Sequence, residues 1–171
     1  FIALEGLDDI GRLHGYDIMD QTLCALSAHI QTLTDLPLRL LGVWSTDQWV
    51  IVCGAEATQS QVKLLSVRLL QALQAPISLR QLSVSVRARI GVSCTGFGRS
   101  PEQIVRTAAI ALPAEDSQWQ SYNQDLEENL QRISQLSDGL QMAIENNELH
   151  LLYQPKVDVR SGAVRGVEAL L

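Results

Sequence analysis

Residues 83–94 read SVSVRARIGVSC, and Val84, Val86, Ala88, Ile90 and Val92 alternate strictly with small or charged residues. That two-residue period belongs to a half-buried β-strand and predicts one long strand here. A strand with a single apolar face needs other strands beside it and a second layer over it. The remaining segments are read on that basis. FIALEGL (1–7) is a short apolar run of buried-strand length, followed by a polar stretch that Gly15 closes. Ile18, Met19, Leu23, Leu26, Ile30 and Leu33 then repeat near 3.6 residues, the stripe of an amphipathic helix that Asp35 and Pro37 end. LRLLGVW (38–44) and QWVIVCG (48–54) flank Ser45, Thr46 and Asp47 as a hairpin. Val62 to Leu73 form a second helix that stops near Pro76. Ser100 and Pro101 open a third that reaches about Leu112, before Pro113. A short strand at 118–122 and a polar helix from about Asn123 to Asn146 follow. The order β-α-β-β-α-β-α-β plus a long helix predicts an α+β domain, an antiparallel-rich ferredoxin-type sheet with helices on one face. LHLLYQP and AVRGVEALL, separated by Asp158, Arg160, Ser161 and Gly162, close the chain as a further hairpin.

Charge and cysteine usage narrow the setting. With 13 Lys and Arg against 19 Asp and Glu, the net charge is −6, which argues against nucleic-acid polymers and anionic membranes as partners. Cys24, Cys53 and Cys94 lie far apart without a CxxC, so buried reduced thiols of a cytoplasmic protein are expected. No apolar run reaches the ~18–20 residues of a membrane span, so any anchor is expected upstream. Both ends look cut from something longer.

The tail carries the most specific pattern. A helix ending in Asn-Glu-Leu, then Tyr153-Gln154-Pro155, Gly162 and Glu168-Ala169-Leu170 resembles the opening of an EAL domain, the cyclic di-GMP phosphodiesterase family. EAL domains often follow GGDEF domains, the diguanylate cyclase fold, and the preceding element order resembles one. Gly15-Tyr16-Asp17-Ile18-Met19-Asp20 falls on the family's Gly-His-x-x-Gly-Asp stretch, and the Gly-Gly-Asp-Glu-Phe turn reads Ser45-Thr46-Asp47-Gln48-Trp49. The resemblance divides the chain into a degenerate GGDEF-like domain (1–122), a linker helix (123–146) and the first strands of an incomplete EAL domain (147–171).

The resemblance implies chemistry that these residues do not support. Diguanylate cyclases join two GTP molecules with two divalent ions, held by an Asp of the first strand and by acids of the signature turn. Those positions fall on Ala3 and Gln48, leaving Asp47, with Glu5 on the same strand face as a partial substitute. A neutral amide does not replace a carboxylate against a dication beside a polyphosphate, so no catalytic residue is expected in this domain. Ser45 and Thr46 put side chains where glycines would let phosphates approach. The guanine-contacting Asn falls on Gly11, while the base-reading Asp is kept as Asp20, a weak nucleotide-binding candidate. The Arg-x-x-Asp feedback motif falls on Leu36 to Arg39, with Leu36 and Arg39 at its key places, and the phosphate-contacting Lys falls within Leu112-Pro113-Ala114-Glu115. Trp49 is expected in the core, Trp44 and Trp119 are candidate partner surface, and His14, His29 and His150 share no metal spacing.

In an intact EAL barrel the resemblance makes Glu168 a ligand of Mg²⁺ or Mn²⁺ and sets Gln154 against cyclic di-GMP, which is hydrolysed to pGpG. Residues 138–171 are only the start of such a barrel, which takes ~250 residues, so this chain alone needs no cofactor and hydrolyses nothing. Residues 148–171 are expected to pair with a neighbour or with the cyclase-like sheet, or to be poorly ordered. The expected role is a catalytically inactive GGDEF-like regulatory domain of a bacterial GGDEF–EAL protein, partnered by the EAL barrel of its own chain or by a second copy. A GTP-binding allosteric module without turnover, a purely structural or dimerisation domain, and a cyclase with shifted ligands are the alternatives.

Overall fold

A computed structural model describes residues 1–33, 38–79, 82–94, 100–114 and 118–171. The elements in order are β1 (Ile2–Glu5), α1 (Leu7–His14), α2 (Tyr16–Gln31), β2 (Leu38–Ser45), β3 (Gln48–Cys53), α3 (Gln59–Gln74), β4 (Ile77–Leu79), β5 (Leu82–Val84), β6 (Arg87–Val92), α4 (Pro101–Ile110), β7 (Trp119–Ser121), α5 (Gln124–Glu145), β8 (Leu152–Val157) and β9 (Val164–Leu170). They fall into two compact units, Phe1–Leu126 and Glu127–Leu171.

The first unit is an α+β domain on a five-stranded sheet ordered β2-β3-β1-β6-β7. Pairings are antiparallel except β6 with β7. In the centre, Ile2 stands opposite Trp49 and Ile90, and Leu4 opposite Ala88. These side chains share one face and meet Leu26 and Ile30 of α2 and Leu65, Leu69 and Leu73 of α3 in a single core. Each such burial contributes about 1.5–3 kcal/mol. Trp49 is therefore a core residue. Gly15 separates α1 from α2 at φ +95°, a conformation other residues rarely adopt.

Four expectations need correction. Helices cover both faces of the sheet. Gly91 points away from the α2–α3 core, and α4 lies so close to it that an added Cβ would stand 2.0 Å from the Ala108 carbonyl oxygen. The long strand is two: β5 pairs locally with β4, Val84 opposite Ile77, and β6 then pairs with β1. The burial alternation runs unbroken through Val84, Val86, Ala88 and Ile90, so the period reported the apolar face and not a change of partner. The polar stretch after β1 is the helix α1, whose Leu7, Ile10 and Gly11 are buried while Asp8 and Asp9 sit in its first turn and Arg12 and His14 in its last, the charge order its dipole favours. The cysteines are free, but Cys24 and Cys94 are exposed and Cys53 is half-buried. Asp35, Leu36, Pro37 and Glu115 lie outside the described residues.

Helix α5 begins with the Asn123 side chain accepting from the Leu126 amide at 3.0 Å, an N-cap. β8 and β9 form a separate two-stranded sheet. The hairpin thus has regular structure of its own. Its turn explains this: the Asp158 carboxylate accepts from the amides of Arg160 and Ser161 and from the Ser161 hydroxyl, and Gly162 takes φ +69°. Those bonds, the Ser161 amide first, hold the Asp158 carboxyl below its usual range.

Candidate functional site

The face of the sheet opposite the α2–α3 core carries the polar residues. Ala3 stands directly opposite Gln48 of β3 on one side and Arg89 of β6 on the other, so Gln48, Ala3 and Arg89 form a row across three strands. Directly opposite positions bring Cβ atoms to about 4.5–5.5 Å. Glu5 lies two residues beyond Ala3 on the same face, and its carboxylate is taken. Arg89 Nη2 approaches Glu5 Oε1 at 2.6 Å, and Arg87 Nε lies 3.6 Å from Oε2. Arg89 Nη1 also donates to the Pro113 carbonyl at 2.7 Å. The Arg89 Nε is buried without a hydrogen-bond partner. Glu5, Gln74, Arg87, Arg89 and Gln118 line an open depression of about 800 Å³ beside this cluster.

At the turn between β2 and β3, the Asp47 carbonyl accepts from the Leu4 amide at 2.7 Å, which ties the turn to β1. The Ser45 hydroxyl donates to the Asp47 carboxylate at 2.6 Å. None of Ser45, Thr46, Asp47 and Gln48 takes a positive φ, so a glycine-free sequence closes this turn without strain. The donors present do not fit a divalent ion. Ala3 offers nothing, Gln48 a neutral amide, Glu5 is held by two guanidinium groups, and Asp47 is one carboxylate. Among the described residues no three His, Cys, Asp or Glu side chains gather as a metal site.

Asp20 is exposed on α2. Gly11 lies under the Tyr16 ring, where an added Cβ would stand 3.2 Å from Cδ1 and Cε1. Arg39 pairs with Glu56, and the Glu56 backbone and Arg39 together hold that carboxyl low. His29 Nδ1 lies 3.1 Å from the Ala72 carbonyl, a contact between α2 and α3. Trp44 is exposed and meets Phe1 edge-to-face at 6.3 Å. In the hairpin, Gln154 and Glu168 are direct cross-strand partners, and Lys156 Nζ lies 3.2 Å from Glu168 Oε2. Sequence reasoning missed Arg87 and Arg89. Their signal was available: two arginines at i and i+2 on the polar side of an alternating strand share a face.

A family model described as diguanylate cyclase, GGDEF domain, matches residues 1–121. The chain is 30% identical to cyclic di-GMP phosphodiesterase PA2567 of Pseudomonas aeruginosa over 99% of this chain and 30% of that protein. It is 27% identical to cyclic di-GMP phosphodiesterase NbdA of the same organism over 100% of this chain and 22% of that protein. Among solved structures it is similar to an EAL/GGDEF domain protein from M. capsulatus, with a TM-score of 0.61 at 20% identity, covering 71% of this chain and 81% of that one. The chain therefore spans less than a third of the curated relatives it matches. No described helix is long and apolar enough to cross a membrane.

Proposed function

The chain belongs to the diguanylate cyclase GGDEF domain family, and from that footing we propose that its own domain is catalytically inactive and regulatory, within a cytoplasmic portion of a GGDEF–EAL cyclic di-GMP signalling protein. The observation that carries this reading is the row Gln48–Ala3–Arg89 with Glu5 beside it in ion pairs. Where the resembled cyclases place carboxylates for metal ions, this chain places a methyl group at Ala3 and an amide at Gln48, and the Arg89 guanidinium stands across from Ala3 on the next strand. Phosphoryl chemistry on GTP needs that dication charge, and no residue here supplies it. Tyr16 over Gly11 and the side chains of Ser45 and Thr46 oppose a retained GTP pocket.

The second half of the reading is that residues 147–171 open an EAL domain whose full-length form hydrolyses cyclic di-GMP to pGpG. The relatives named as cyclic di-GMP phosphodiesterases align beyond residue 121, across essentially the whole chain. Gln154 and Glu168 also face each other across the hairpin, side by side as one site requires. Glu168 would contribute one ligand to Mg²⁺ or Mn²⁺ there, and the metal would supply an activated water. Helix α5 would link the two domains.

Incubation of this chain with GTP and Mg²⁺ or Mn²⁺, followed by nucleotide chromatography, tests the first half. No cyclic di-GMP and no linear intermediate is the expected result, and turnover overturns it. Calorimetric titration with GTP, expected to show no heat of binding, separates this reading from a nucleotide-gated module. In the full-length protein, Glu168→Gln is expected to abolish pGpG formation, and an unchanged rate would remove the EAL assignment.

A further inference from the structure

Strand β2 ends one side of the five-stranded sheet, and its edge is apolar where sheet edges are ordinarily guarded by charge. Leu40, Val43 and Trp44 are 58%, 74% and 63% exposed, and Arg39 is the one ionisable residue in the strand. Which backbone groups point out of that edge follows from the hydrogen bonds of β1. The Leu4 amide donates to the Asp47 carbonyl, and the Gly91 amide donates to the Phe1 carbonyl. Even residues of β1 therefore bond toward β3 and odd ones toward β6. Ile2 stands opposite Trp49, so Trp49 bonds toward β1, and Gln48 and Val50 bond toward β2. Gly42 stands opposite Val50 and is thereby bonded to β3, whereas Leu41 and Val43 turn their N–H and C=O groups outward. The side chains sort by face. Val43 lies opposite Trp49 on the core side, while Leu40 and Gly42 lie opposite Val52 and Val50 on the other side. Trp44 meets Phe1 on that second side.

We propose that this edge is a homodimer interface, in which β2 of a second copy adds antiparallel to β2 about a two-fold axis at Gly42 and joins the two sheets into one. The occupant is a second copy because the strand complements itself in that register. Leu40 comes opposite Trp44 and Leu41 opposite Val43, each pair occurring twice, as an isologous contact requires. Sliding the register two residues either way sets Leu40 against Gly42 or Thr46 instead. The backbone agrees: the two Gly42 residues form the non-hydrogen-bonded pair at the axis, and on either side the outward groups of Leu41 and Val43 exchange two bonds per pair. The charges agree as well. Arg39 comes opposite Ser45 of the other copy, whose hydroxyl donates to the Asp47 carboxylate, so a cation meets an anion at both ends of the pairing. Arg39 already pairs with Glu56, and its fork has donors for a second carboxylate. Register shifts lie between Leu38 and Leu40 and between Val43 and Ser45, so the regular stretch is short and the dimer dissociates on dilution. The interface goes beyond the catalytically inactive reading and stands independently of it.

Sedimentation equilibrium of the whole chain over a range of concentrations tests this, with disulfide trapping beside it. The wild-type chain is expected to pass from its monomer mass of 18.8 kDa toward twice that value as concentration rises. Val43→Lys puts a charge on the open edge and is expected to weaken association about tenfold or more. Its melting temperature is expected to match wild type, because Val43 is already exposed. The second measurement needs no loss of affinity. With Cys24 and Cys94, both exposed, changed to serine, Gly42→Cys is expected to give a disulfide-linked dimer under mild oxidation. A non-hydrogen-bonded pair holds its Cα atoms about 4.5 Å apart, within disulfide reach, and an added Cβ at Gly42 meets nothing closer than the Val50 carbonyl at 3.9 Å. Thr46→Cys, on the exposed turn but far from its own copy in this register, is expected to stay uncrosslinked. A monomer at every concentration would overturn the proposal and leave the edge to a different protein. A dimer that Val43→Lys leaves intact would overturn it in favour of another surface, such as the exposed side of α5. Crosslinking of Thr46→Cys as readily as Gly42→Cys would overturn it too. None of these readouts involves nucleotide, so turnover of GTP would strike at the proposed function alone.

Discussion

Gly91 is the position where one residue decides whether a helix can be seated. With the Ala108 carbonyl oxygen 2.0 Å and the Leu112 amide nitrogen 2.8 Å from where a Cβ would stand, Gly91→Ala must push the backbone of α4 off the sheet. Overpacking of this kind costs about 1–3 kcal/mol, and chemical denaturation of the variant is expected to show a loss at the upper end of that range. Cysteine chemistry gives a second check at this scale. Burial pushes the Cys53 thiol up, whereas Cys24 and Cys94 are exposed. Alkylation at mildly alkaline pH, followed by mass spectrometry, is expected to label Cys24 and Cys94 first and Cys53 last. Because the native Cys53 thiol holds its proton more tightly than an unfolded one, its contribution to stability is complete below the ordinary thiol pKa of ~8.5 and falls as pH rises past it. Residue-level reading of the sequence succeeded where one local rule decides: the apolar stripe of α2 and the burial of Trp49 followed from period and hydropathy. It failed where a partner distant in sequence decides, as with Arg89, whose role needs Glu5 and Pro113 beside it.

Among the elements, α3 and α4 show how completely a helix start can be written in sequence. Thr58 with Gln61 and Ser100 with Gln103 each form a reciprocal capping box, and Pro101 fills the first turn of α4. Thr58→Ala is expected to cost about 1 kcal/mol, measured by the same denaturation, while Thr58→Ser is expected to cost a few tenths at most. The strands were less legible. β5 and β6 share one continuous alternation yet belong to different sheets, because side-chain period depends on which face is covered and not on which neighbour supplies the hydrogen bonds. For the same reason α1 escaped notice: eight residues with only Leu7, Ile10 and Gly11 buried give too short a stripe to stand out from a polar loop.

The whole molecule divides its stability unevenly. Phe1–Leu126 holds the buried core, whereas α5, β8 and β9 contain no buried residue. Local opening is easiest where few apolar groups are buried, so limited trypsin digestion is expected to cut first at Arg132, Lys156, Arg160 or Arg165. A resistant fragment of about 14 kDa covering the first unit should remain; early cleavage inside the first unit, with 127–171 intact, would contradict this. The order of the sheet bears on how such a domain comes into being. β1 precedes the other strands of its sheet and is the middle strand, and its two neighbours arrive at very different times. The β2–β3 hairpin can reach it early, but β6 closes a loop of about ninety residues, as the bond between the Phe1 amine and the Gly91 carbonyl marks. Closures over such separations are slow. During synthesis β1 must therefore wait with one edge open until β6 has left the ribosome, and the β4–β5 hairpin, formed locally just before it, delivers that strand already turned toward its place.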